Sequence, residues 1–101
     1  MADADVEVLL AAADRLEGLA ARTTGGDWTV RGLLATRPEV VAELADGTTE
    51  HVAEARARTA EWIRTVSPQL AGPLAAWLRP AAGTSPPDPH ALAVARLLTG
   101  A

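Results

Sequence analysis

Apolar residues return every three or four positions in four separate stretches of this chain, and glycine or proline punctuates the gaps between them. That spacing places the apolar side chains on one face of a helix. Helices this short are marginal on their own, so their stripes must be buried against one another or against a partner.

The first stretch runs from about Ala4 to Arg22. Val6, Leu9, Ala13, Leu16 and Ala20 form its stripe, and Leu10 and Leu19 widen it. Acidic residues crowd its first turn, where they complement the helix dipole, and Gly25-Gly26 supplies a stop. The second stretch spans about Thr49 to Val66, with Val52, Ala55, Thr59, Trp62, Ile63 and Val66 on one side. Glu54 and Arg58, four apart, fall on its wet side.

Ser67-Pro68 and Asp88-Pro89 then repeat one device, a capping side chain before a proline at the first helical position. The third helix, Pro68 to Arg79, presents Leu70, Leu74, Trp77 and Leu78, with Pro73 near the end of its first turn. The fourth, Pro89 to Thr99, presents Leu92, Val94, Ala95 and Leu98. Between them, about 80–88 reads as a flexible Pro/Gly/Ser/Thr linker.

Asp27 to Gly47 supports two readings. Trp28 and Val30 alternate with Thr29 and Arg31, and Val40, Ala42 and Leu44 alternate with Val41 and Glu43, which suits a hairpin. Thr36-Arg37-Pro38-Glu39 has capping-box spacing, so a helix competes for about 36–46. The hairpin is favoured, and both readings send Val40 and Leu44 inward. The expected fold is therefore mainly α: a small four-helix bundle-like domain spanning 1–101, with a short β-hairpin, or an extra short helix, between the first and second long helices.

Composition bounds the function classes. In 101 residues, 49% apolar content is enough for one core. No apolar run approaches the ~18 residues of a membrane span. The opening Asp3, Asp5 and Glu7, with no basic segment ahead of an apolar one, does not read as a signal peptide. Zero cysteines exclude disulfides and thiolate metal sites. A cytoplasmic setting with no cofactor and no metal is the expectation. The formal charge of −4 argues against nucleic acid as the main partner. All nine basic residues are arginine, there is no Lys, Asn, Phe or Tyr, and Ile63 is the sole isoleucine. The missing types share A/T-rich codons, so the bias points to a high-GC bacterial genome rather than to a function.

Few residues suggest chemistry. Trp62 and Trp77 lie on the stripes of consecutive helices and are read as core residues that could meet; Trp28 follows a Gly-Gly turn and is read as a packing anchor. Glu50, His51 and Glu54 put a histidine and a carboxylate one helical turn apart, but the first and third helices supply no matching metal ligands. Ser67 is accounted for as a cap, and Ser85 lies in the linker, so no activated nucleophile is assigned. Gly25-Gly26 lacks a lysine and follows a helix rather than preceding one, so it is no phosphate loop. Arg56, Arg58, Arg64 and Arg79 suggest a basic patch, but Glu50, Glu54 and Glu61 offset it.

Several short elements resemble a family of small uncharacterised helical proteins from actinobacteria and their phages. Thr23-Thr24-Gly25-Gly26-Asp27-Trp28 is similar to a TPGPW turn, with Gly26-Asp27 replacing Gly-Pro. Ala60-Glu61-Trp62-Ile63, Pro68 and Ala75-Ala76-Trp77-Leu78 resemble an A-x-W-I…P…A-x-W-L core. Ala91-Leu92-Ala93-Val94-Ala95-Arg96 matches an ALAVAR last helix. A Cys-containing insertion of some relatives is missing before the last helix. The resemblance implies an actinobacterial origin and the helix order above; it carries no activity and no functional residues.

The function expected is a non-enzymatic protein–protein interaction or regulatory accessory module, working through a helical face as a homodimer or with another protein. The alternative is a small-molecule binder or minor enzyme with a pocket near Trp28, Trp62 and Trp77, where Arg31 or His51 makes the polar contact. A DNA-binding regulator is the third class. No catalytic residue and no metal ligand is assigned.

Overall fold

A computed structural model describes residues 3–32 and 37–101. The element order is α1 (Ala4–Arg22), β1 (Asp27–Arg31), β2 (Glu39–Glu43), β3 (Thr49–Glu54), α2 (Ala57–Thr65), a 3-10 turn (Pro68–Leu70), α3 (Ala71–Ala81) and α4 (Pro89–Thr99). Helix predominates, as the stripes imply, but the architecture is not a four-helix bundle with one hairpin. The chain forms two compact units, one of Met1–Arg22 with Leu70–Ala101, the other of Thr23–Gln69.

The first unit is a three-helix assembly in which α1 packs against both α3 and α4. Its core is Leu9, Ala12, Ala13, Ala75, Leu78, Ala81, Ala91, Leu92 and Ala95. Most of these are alanines, so the helices meet through small side chains and a few leucines supply the bulk. Arg79 ties α3 to α1 by pairing with Asp14 at 2.9 Å and with Glu17, and Arg96 ties α4 to Asp5 at 3.4 Å. The hydrogen bonds that Arg79 donates to the Glu17 and Asp14 carboxylates hold its guanidinium further above its ordinary value, so it stays protonated.

The proline-led start expected for the last helix is observed: the Asp88 carboxylate accepts from the His90 backbone N–H, Pro89 opens α4 and left-handed Gly100 closes it. Ser67 does not cap α3 in the same way. The chain first makes the 3-10 turn, and the N-cap of α3 is Leu70, with no side-chain cap hydrogen bond.

The second unit is an antiparallel three-stranded sheet of order β1-β2-β3, with α2 against β1 and β2. The hairpin reading of the middle segment is correct, and the helix that competed for it is replaced by strand from Glu39; Thr36 lies outside the described residues. Trp28 pairs with Ala42 and Val30 with Val40. Gly26 enters β1 at φ +79, and a Cβ there would stand 2.5 Å from the Glu43 carbonyl oxygen, so only glycine fits.

The expected helix over Thr49–Val66 is half strand. Gly47 N–H donates to Leu44 O, Leu44 N–H donates to Thr48 O, and Gly47 sits at φ +84. This is a three-residue hairpin loop closed by a left-handed glycine. It turns Thr49–Glu54 back alongside β2 before a helix can begin. Val40 then pairs with Ala53 and Val41 with His51, so Val52 is left over as a bulge. The remaining helix, α2, fully buries only Ala60.

Candidate interaction surface

The shortened α2 changes the position of Trp62. Successive residues of a helix are about 100° apart, so Trp62 lies about 200° around the axis from Ala60 and points away from the buried face. It is 67% exposed, which corrects its expected core position. Val66, one turn on, donates its N–H to Trp62 O at 3.1 Å and is also exposed. Arg58, one turn back, is exposed too. Arg58, Trp62 and Val66 therefore form one row along α2 at i, i+4 and i+8.

Trp77 belongs to α3 in the other unit and is 40% exposed, so it too departs from a fully buried core role. Trp28 is half-buried in β1, with its indole N–H donating to Thr24 O at 3.2 Å. That bond ties the strand to the turn before it, which suits the anchoring role. Leu97 on α4 is 87% exposed. It falls between two stripe positions, and the sequence pattern does not single it out.

Arg31 and His51 flank β2. Arg31 pairs with Glu43 at 3.3 Å and the His51 imidazole Nδ1 contacts the Glu39 carboxylate. Both pairs are exposed, where an ion pair contributes about 0–1 kcal/mol. His51 and Glu54 are on a bulged strand rather than one helical turn apart. Among the described residues no three His, Asp or Glu side chains are placed to hold a metal ion.

The second unit carries an open recess of about 360 Å³ lined by Gly26, Asp27, Glu43, Leu44, Ala45 and Gln69. The Gln69 amide donates across it to the Asp27 carboxylate and, at 3.4 Å, to Gly26 O. None of the three tryptophans lines it, nor does Arg31 or His51. At the β2–β3 turn the Thr48 hydroxyl and backbone N–H both donate to Asp46 and lower its pKa below 3.8. That carboxylate is committed to the turn.

Polar groups are thus used locally, while large apolar groups are left outward on the helices. No helix among the described residues is long and apolar enough to cross a membrane. No family model matches the chain, and neither a curated protein nor a solved structure is similar enough to count as a match.

Proposed function

We propose that this chain is a non-enzymatic protein-interaction module that works through apolar side chains left exposed on its helices. The observation that supports the reading is Trp62, two-thirds exposed beside the exposed Val66. Single exposed leucines are ordinary on a protein surface, so Leu97 alone would mean little. An exposed tryptophan with an aliphatic neighbour one turn away is different, because tryptophan dominates binding energy at protein interfaces. The partner is a second copy or another protein. The proposal includes a cytoplasmic setting and kinship with the small helical actinobacterial proteins whose motifs the chain resembles.

The size of the native species tests this. In lysate of cells that make it, the chain should migrate well above its own 10.4 kDa. A variant combining W62A, W77A and L97A should migrate as a monomer while keeping wild-type helical circular dichroism. A wild-type chain that is monomeric in the lysate contradicts the reading.

A further inference from the structure

The chemistry of the α2 row identifies the kind of partner it fits. Arg58 is exposed and makes no ion pair among the described residues. The residues outside the description carry no side-chain carboxylate, since they are Met1, Ala2 and 33–36, which read Leu-Leu-Ala-Thr. Arg56, at the N-cap of α2, is likewise exposed and unpaired, and the first turn of α2 holds no acidic residue. The single carboxylate on the helix, Glu61, is already held by Arg64 at 3.1 Å. An exposed apolar pair, Trp62 and Val66, therefore adjoins two arginines that make no ion pair among the described residues.

A second copy meeting this row with its own α2 would not supply what is missing. Two α2 helices packed antiparallel about a twofold through Trp62 set residues whose numbers sum to 124 opposite one another. Trp62 then meets Trp62 and Arg58 meets Val66, leaving both arginines without a carboxylate. The occupant must bring its own. Nucleic acid would bring negative charge as well, but phosphate binding draws on several clustered cations, and the start of α2 offers only Arg56 and Arg58 beside an apolar pair that an aliphatic side chain covers.

We infer that the Arg58–Trp62–Val66 row docks an acidic amphipathic segment of another protein, with an aliphatic anchor over Trp62 and Val66 and a carboxylate at Arg58. This rests on the interaction-module reading. It also identifies which exposed side chains are used and by what chemistry, since tryptophan and arginine are the residues most enriched at binding hot spots.

The test uses two synthetic peptides on the full chain, one with leucine at helical i, i+3, i+4, i+7 spacing and glutamate elsewhere, the other with lysine in place of glutamate. The Leu/Glu peptide should bind saturably and shift tryptophan emission to the blue. W62A should weaken it about thirtyfold and R58E about tenfold, and added salt should reduce the difference between wild type and R58E. Circular dichroism and urea midpoints establish that both variants fold. Equal binding of the lysine peptide, no binding of either, or no effect of R58E overturns the inference. So does a dimer of the purified chain that W62A abolishes, or tighter binding of a single-stranded oligonucleotide. If both peptides fail while the native species is still large and is dispersed by W77A or L97A alone, this inference falls and the interaction-module reading stands.

Discussion

Gly25 and Gly26 are adjacent and chemically identical, yet they make different demands on the chain. Gly26 is left-handed and lies against the Glu43 carbonyl, whereas Gly25 has no atom within 4 Å of an added Cβ. Gly26→Ala should therefore destabilise by more than about 1 kcal/mol, and Gly25→Ala should be neutral or slightly stabilising, as read by urea unfolding. Asp46 carries the pH dependence that can be assigned to a single group. Its carboxylate is lowered by the Thr48 hydroxyl first and the Thr48 N–H second. A lowered folded pKa means that its stabilisation is fully present above the unfolded value near 3.8 and is lost as pH falls through the folded value. Asp46→Ala should thus lower the urea midpoint at pH 7 and leave it unchanged in strong acid.

Elements were legible where punctuation and stripe agree. At α1 the stripe ends just before Gly25-Gly26, and at α4 Asp88-Pro89 and Gly100 bracket Leu92 and Ala95; both helices have the expected bounds. Removing the cap by Asp88→Ala should cost about 1 kcal/mol, measured by urea denaturation of the whole chain. β3 was hidden because Val52, Ala55 and Thr59 fall by coincidence at helical spacing with Trp62. The signal that could have found it is Asp46-Gly47, a strong hairpin dipeptide, followed by two β-branched threonines. Once Val52 and Ala55 leave the helix, the stripe that seemed to include Trp62 loses its first half. The buried side of α2 is then set by Ala60, and Trp62 turns outward. One missed turn therefore concealed both the third strand and the exposed row.

At the scale of the molecule, exposure separates residues that hold the fold from residues available to a partner. Leu78 is fully buried in the three-helix core, and Leu97 is almost fully exposed on the same unit. Leu78→Ala should cost about 2–5 kcal/mol, close to the whole stability of so small a chain, while Leu97→Ala should stay within about 0.5 kcal/mol. Thermal or urea unfolding followed by circular dichroism distinguishes them. The candidate surface was less legible than the fold. Composition directed attention to packing rather than to chemistry, but which tryptophan faces water depends on where α2 begins, and that is decided by a turn ten residues upstream.

The central claim is that exposed apolar groups on the helices, Trp62 above all, meet another protein. Site-specific photo-cross-linking in living cells tests it most directly, with benzoylphenylalanine replacing Trp62 in one strain, Trp77 or Leu97 in others, and the turn residue Gly47 as a control. A discrete protein adduct at position 62, absent at position 47, is the predicted result. No adduct at 62, 77 or 97 after efficient incorporation would contradict it.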